Sequence, residues 1–174
     1  MNKKPLSDLV TIISGGTPKR SNEEYWDGQI PWISVKDFHQ GKHINHTEES
    51  ITASGLMNSS TNLLEKDDII ISARGTVGLV SMIVTPMAFN QSIFGLRVQG
   101  ELTPEYLYYW LKLNIPYIKN NVHGSVFDTI TRDTFKIIEV SYPSLEEQEK
   151  ATESLRLLDS KIEMNTQLND NLVA

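Results

Sequence analysis

The sequence predicts an α+β domain, built on a mixed, mainly antiparallel sheet with short helices around it, and a long helix projecting from its C-terminal end. Three observations carry that prediction. Between Asp68 and Val98 the chain reads DIIISARGTVGLVSMIVTPMAFNQSIFGLRV. Ile69 to Ile71, Leu79 to Val84 and Ala88 to Val98 are apolar, β-branched runs divided by Gly75-Thr-Val-Gly78 and by Pro86, as a strand, turn and two further strands at the centre of a sheet would be. Thr103, Pro104 and Glu105 supply an N-cap, a first-turn proline and an early acid for a helix from Glu105 to Leu113 bearing Leu107, Trp110 and Leu111. Ser144 and Glu147 are spaced as a capping box. Beyond them Ala151, Leu155, Leu158 and Ile162 recur at four, three and four residues, the seam of a coiled coil.

A chain of 174 residues, 39% hydrophobic and 22% charged, holds enough material for one well-buried core plus an appendage. The division falls at Pro143, with residues 1–143 as the globular domain and residues 144–174 as the helix. The absence of cysteine excludes a disulfide framework and a thiolate metal site. The opening MNKKPLSD has no apolar run behind its lysines, and no stretch is long enough to cross a bilayer, so a cytoplasmic protein is expected. A formal charge of -6 opposes binding to a polyanion only if it is evenly spread. Residues 1–143 hold 13 Lys and Arg against 15 Asp and Glu, and residues 144–174 hold 3 against 7, so most of the excess acidity belongs to the helix.

Leu6, Leu9, Val10, Ile12 and Ile13 form an apolar lead-in that stops at Ser14-Gly-Gly-Thr-Pro18. The glycines permit positive φ and the proline pushes Thr17 out of the helical region, so a shaped turn is expected. Its spacing fits neither glycine-rich phosphate-binding pattern. Asn22 to Gly28 reads as an exposed, aromatic-bearing loop. Ile30 to Lys36 alternates as a strand, with Trp32, Ser34 and Lys36 on one face and Ile33 and Val35 on the other.

GGTPKRSNEEYWDGQIPWISVKDF, Gly15 to Phe38, resembles the opening of a target recognition domain from the specificity subunit of a Type I restriction-modification system. The resemblance continues through ISARGTVG (Ile71 to Gly78), NQSI (Asn90 to Ile93), TPEYLYYWL (Thr103 to Leu111), YPSLEEQ (Tyr142 to Gln148) and LDSKIEMN (Leu158 to Asn165). It spans nearly the whole chain in the family's order. It implies a protein with no catalysis of its own and no cofactor. Such a protein reads one half of a split sequence in double-stranded DNA and places methyltransferase subunits and, through the complex, the restriction subunit there.

Two segments imitate other chemistry. His39, His43 and His46 would share a helical face, as metal ligands can, but Gly41 and polar neighbours make Gln40 to Thr47 a connecting loop with solvated or DNA-facing histidines, and no metal is expected. Asn114-Ile-Pro-Tyr117 is one residue from the Asn-Pro-Pro-Tyr of amino-methyltransferases. No glycine-rich cofactor strand accompanies it, so Pro116 is read as ending one helix and starting the next. Between these, Glu49 to Ser60 reads as a short irregular helix with Ile51, Leu56 and Met57 inward, and Glu65 to Asp68 as a solvated hairpin end. Further on, His123 to Thr131 is a polar loop, Arg132 to Phe135 a short helix and Ile137 to Val140 a last strand.

Bidentate pairing of arginine with guanine, and of Asn or Gln with adenine, makes Arg74, Asn90 and Gln91 candidate base or groove readers, with Thr76 and Ser92 beside them. Lys19, Arg20, Lys36, Lys42, His43 and Ser125 are candidate backbone contacts. Two alternatives stand beside these: Arg74 paired internally to an acid, and Ser125, Thr129 and Thr131 only capping turns. Along the helix Asn165 and Asn169 continue the seam as polar members, Leu172 ends it near its edge, and Leu157, Met164 and Leu168 form a second strip. The helix resembles the family's spacer, which pairs antiparallel with a second such helix; folding back on its own domain is the alternative. One recognition domain and a helix ending at Ala174 fit either a natural half-subunit that forms a homodimer or a fragment of a longer chain. The competing function class is a coiled-coil protein–protein adaptor without direct DNA readout.

Overall fold

The computed structural model describes residues 1–122 and 129–173, and the side chains within them except those of residues 121, 122, 167 and 170–173. In chain order the elements are β1 (Asn2–Pro5), α1 (Leu6–Leu9), β2 (Val10–Ser14), β3 (Trp26–Ile33), β4 (His43–Ile44), β5 (Glu49–Ile51), α2 (Ala53–Met57), β6 (Leu63–Leu64), β7 (Ile69–Ser72), β8 (Val80–Ile83), β9 (Met87–Phe89), β10 (Ile93–Val98), α3 (Pro104–Val122), α4 (Arg132–Ile137), β11 (Glu139–Tyr142) and α5 (Leu145–Val173). A five-stranded sheet runs β2-β10-β7-β8-β4, a four-stranded sheet runs β5-β3-β9-β6, and β1 pairs with β11. Most pairings are antiparallel; β3 with β9 and β4 with β8 are parallel. The α+β class is therefore as the sequence predicts, with the strands divided between two main sheets.

β7 lies in the middle layer. Ile69 and Ile71 pack with Leu107, Leu111, Ile118 and Phe135 of α3 and α4, while Ile70 points the other way, toward Ile33, Leu64 and Phe89 of the four-stranded sheet. Alternation sends neighbouring side chains to opposite faces, and here both faces are covered, so an unbroken isoleucine run is what the position requires. All three are fully buried, each contributing roughly 1.5–3 kcal/mol.

The apolar stretch after Pro86 does not form one strand. It divides into β9 and β10, which lie in different sheets, and Asn90-Gln91-Ser92 is the crossing between them. Asn90 Oδ1 accepts the Ser92 backbone N–H at 2.9 Å and closes that turn. The Gly15-Gly16 pair also differs from expectation, since neither residue has a positive φ. A Cβ on Gly15 would stand 2.1 Å from the Asn90 carbonyl oxygen and one on Gly16 2.3 Å from Ser60 Oγ, so close backbone approach is what demands glycine there.

Several boundaries move. Trp26 to Gly28 belongs to β3, which stops at Ile33 because Ser34 and Asp37 form a capping box that opens a 3-10 turn over Val35–Gln40. Trp32 and Ile33 are both buried, in separate clusters. Within the expected histidine loop, β4 pairs with β8, and Ile51 lies in β5 ahead of α2, where Met57 points into solvent. Asp68 is not a solvated turn residue; its side chain is buried and bonded to Arg97. α3 runs straight through Pro116. Lys112 and Pro116 both lie on its exposed side, where the carbonyl that loses its partner meets water. β11 falls two residues later than expected because Ile137 completes α4.

α5 begins at the predicted capping box, with the Ser144 N–H donating to Glu147 Oε2 at 3.1 Å and the Glu147 N–H to Ser144 Oγ at 3.4 Å. Its first half lies along α3 through a polar face. Gln148 is fully buried, donating through Nε2 to the carbonyls of Glu101 and Pro143 at 2.9 and 3.0 Å and accepting the Thr103 N–H at 2.8 Å. Asp159 and Glu163 continue that face.

Candidate nucleic-acid interface

One end of the two main sheets gathers most of the predicted polar residues. Ser14 closes β2 opposite Phe94, Ser72 closes β7 opposite Ile93, and β9 ends level with β3 (Phe89 opposite Ile33). The connections leaving those ends are therefore neighbours: Gly15–Arg20, Ala73–Leu79 and Asn90–Ser92. They are also bonded together. The Ala73 N–H donates to the Ser92 carbonyl at 2.7 Å, the Gly16 N–H to the Phe89 carbonyl at 2.9 Å, and the Thr17 hydroxyl to Gln91 Oε1.

Arg74, Gly75 and Thr76 are exposed at the tip of a braced turn. Buried Ser72 does the bracing: its Oγ donates to the Thr76 carbonyl at 2.5 Å and accepts the Leu79 N–H at 2.8 Å, while its carbonyl accepts the Gly78 N–H at 2.9 Å. Gly75 has φ +72, the left-handed conformation a side chain resists. Arg74 makes no ion pair among the described residues, so the internal pairing considered for it does not form there. With Asn90 Oδ1 spent on the Ser92 N–H and Gln91 Oε1 on Thr17, both side-chain NH₂ groups remain free of described partners. Donors at the rim of a braced edge suit the acceptor-rich major groove.

Lys19 is exposed. Arg20 is held more firmly. It forms a two-pronged ion pair with Glu49 and stacks 3.8 Å over the Trp26 ring, with Trp32 edge-on to Trp26 at 5.2 Å. The hydrogen bond to Glu49 raises the Arg20 pKa, and the same contact lowers that of Glu49. Lys36 stands at the rim, exposed and 3.6 Å from Glu48. Ser125 lies outside the described residues.

Lys42 and His43 are not at this end. Lys42 Nζ is buried 2.6 Å from Glu105 Oε2 and 3.5 Å from Asp159 Oδ2, which leaves no ammonium for a phosphate, and His43 Nδ1 lies 2.7 Å from Glu163 Oε1 of α5. Both serve the contact between domain and helix, a relationship that needs α5 folded back to meet them. Burial raises the hydroxyl pKa of neighbouring Tyr108, to about 12, and that of Tyr109, where the hydrogen bond to Asp159 adds to it.

Three residues join the edge that sequence reasoning did not single out. Arg132 Nη2 donates to Ser14 Oγ at 2.8 Å and the Ile12 carbonyl at 3.1 Å. Asn62 Nδ2 donates to the Ser14 carbonyl at 2.8 Å. Exposed Lys119 lays its stem across Gly78, where an added Cβ would stand 3.1 Å from its Cε. Only Arg132 left a local signal, a basic residue opening a short helix after a hydroxyl-bearing loop.

The apolar side of α5 is largely exposed among the described residues. Leu155, Leu158 and Ile162 are 39%, 56% and 62% exposed, and Leu157, Met164 and Leu168 are exposed as well. Ala151, Asn165 and Asn169 share that exposure, and the side chain of Leu172 lies outside the described ones.

A two-sheet domain carrying a long C-terminal helix matches part of solved Type I restriction-modification S subunits. The HsdS subunit from Thermoanaerobacter tengcongensis superposes with a TM-score of 0.71 at 20% identity, over 96% of this chain and 39% of that one. The S subunit from M. genitalium gives 0.71 at 22% identity, over 99% of this chain and 42% of that one. The chain belongs to the family described as the Type I restriction modification DNA specificity domain, whose profile matches residues 1–174. Among its relatives are the Type I restriction enzyme MjaIX specificity subunit of Methanocaldococcus jannaschii, 32% identical over 97% of this chain and 40% of the relative, and the HindI specificity subunit of Haemophilus influenzae, 34% identical over 82% of this chain and 32% of the relative. The chain thus spans about a third to two fifths of the length of these relatives. Among the described residues no helix is long and apolar enough to cross a membrane.

Proposed function

We propose that residues 1–143 read one half of a bipartite sequence in double-stranded DNA and that residues 144–174 act as a spacer and pairing helix, in a cytoplasmic, non-catalytic component of a Type I system. The observation that carries this reading is the convergence of Arg74, Asn90 and Gln91 on one braced edge, where Arg74 and Gln91 are exposed and the amide oxygens of Asn90 and Gln91 are already bonded. Arg74, Asn90 and Gln91 are the base readers, Thr76 and Ser92 flank them, and Lys19, Arg20, Lys36, Lys119 and Arg132 supply phosphate attraction at the rim. The outward apolar face of α5 pairs with a second copy or with another spacer helix, and the assembled pair offers its surface to methyltransferase subunits, through which the restriction subunit is recruited.

The test is a methylome of cells with and without the gene, beside salt titrations of the assembled complex on the methylated locus. A gene-dependent bipartite motif, bound with an affinity that falls steeply as salt rises, is expected. The same exposed helix face would also serve a coiled-coil adaptor that never touches DNA. An unchanged methylome with undetectable binding by the complex would establish that adaptor instead.

A further inference from the structure

The contact between the globular domain and α5 is polar where it is most buried. Lys42 precedes β4, Glu105 opens α3 and Asp159 lies midway along α5, so one ammonium joins three elements. Tyr109 bridges the same group, accepting from Lys42 Nζ at 3.1 Å and donating to Asp159 Oδ2 at 2.5 Å. One turn further, His43 meets Glu163. The Lys42 side chain is only 5% exposed. Meanwhile Leu157, Leu158 and Ile162 are more than half exposed, so little apolar surface of α5 is committed to its own domain.

We propose that Lys42 is a positioning residue that locks the domain at one angle and one register on α5. An apolar contact tolerates sliding and rotation, because many side-chain arrangements bury similar area. A buried ammonium between two carboxylates and a phenol does not. A shift of α5 by one residue, or a rotation that removes Asp159, leaves buried charged and hydroxyl groups without partners, an outcome folded proteins avoid. The network therefore adds geometry more than adhesion. Taken with the proposed function, on which this consequence rests, the lock holds the DNA-reading edge at a set orientation to whatever the outer face of α5 grips, and through it sets the separation between half-sites.

The sequence contains no cysteine, so spin labels can be placed without background. Cysteines replacing exposed Lys66 and Lys161 report the distance between the domain and α5 in the full chain by pulsed electron resonance. The wild-type background is expected to give one narrow distribution. Lys42→Met should broaden or split it while hydrogen exchange still protects the β7 and β10 amides, and Lys42→Arg should restore a single distance. If Lys42→Met loses that protection, Asp159→Asn, which keeps the volume and removes the charge, decides in its place. An unchanged narrow distribution in a folded variant overturns the lock. The distance measurement involves no DNA, so its outcome is independent of whether the edge reads bases.

Discussion

Arg97 and Asp68 face each other between β10 and the start of β7, Nε to Oδ1 at 2.8 Å and Nη2 to Oδ2 at 2.7 Å. The Asp68 side chain is 2% exposed and that of Arg97 36% exposed, and Asp68 Oδ2 also accepts the Glu65 N–H at 2.7 Å. Removing the arginine strands a buried carboxylate. Removing the aspartate leaves a guanidinium that reaches water and keeps Glu65 at 3.0 Å. Arg97→Ala is therefore expected to cost about 3 kcal/mol and Asp68→Ala clearly less. Urea midpoints of the two variants check the order, and a reversed order refutes the asymmetry.

Gly15 and Gly75 are held to glycine for different reasons and should respond differently. Gly75 has φ +72 and open space around its Cα, so Gly75→Ala carries the left-handed penalty alone, about 1–2 kcal/mol. At Gly15 a Cβ would strike the Asn90 carbonyl and the Phe89 ring. Gly15→Ala must push the crossing between β9 and β10 aside, with a larger loss of stability and altered base preference. Denaturation of both variants, followed by a randomised-site selection on whichever folds, distinguishes them.

What the sequence discloses follows from how far its interactions reach. The Ile69–Ile71 run and the Ser144–Glu147 box are legible because periodicity and a three-residue hydrogen bond are local facts. The Arg74–Gly78 turn is legible because two glycines mark it, though nothing local shows that Ser72 braces it. Lys42 reads locally as a surface cation because its role depends on Glu105, 63 residues away, and on a helix whose inward face is polar. The amphipathic pattern of α5 marks its apolar seam as the buried one, whereas Gln148 and Thr152 on the adjoining polar flank are what the domain covers. Arg132 and Asn62 escaped for the same reason, since both act on Ser14, across the fold.

Acid should weaken the chain through its paired carboxylates. Hydrogen bonding to Arg20 lowers the Glu49 pKa below the ordinary 4.5, and Lys136 does the same for Asp133 below 3.8. A depressed folded-state pKa means that stability is present above the unfolded value and is lost as pH falls through the folded one. Unfolding midpoints should thus be flat from neutral pH to about 5 and drop below the ordinary carboxylate range. Arg20→Ala should shrink that drop, and an identical acid profile in this variant would remove the pair as a contributor.

Readers and anchors on the edge should separate. Gln91→Ala or Arg74→Ala is expected to relax preference at one base position by about 1–3 kcal/mol, as loss of a bidentate contact does. Lys19→Ala and Lys119→Ala should weaken all sequences alike and lower the salt slope by about one each. A randomised-site selection with each variant complex measures both. Base preferences unchanged after both the Arg74 and Gln91 substitutions exclude these two as readers, and a sequence-dependent effect at Lys119 would promote it from anchor to reader.

The last expectation concerns the outer face of α5. Leu155, Leu158 and Ile162 leave an apolar stripe largely in water on the flank beside the polar contact with the domain, and such a stripe on a 29-residue helix calls for a partner helix. If the partner is a second copy, two-fold symmetry makes the interface self-complementary. An antiparallel pairing then sets two identical reading edges at opposite ends, and the target becomes an inverted repeat. Leu155→Glu combined with Leu158→Glu puts like charges into the seam while leaving Gln148, Asp159 and Glu163 themselves unchanged. It should yield a monomer whose domain remains folded but whose complex no longer modifies DNA. Sedimentation of the wild-type chain at micromolar concentration is the direct measurement. A dimer that the double substitution dissociates supports the pairing, and a wild-type monomer at every concentration rules out the second copy as the occupant of that face.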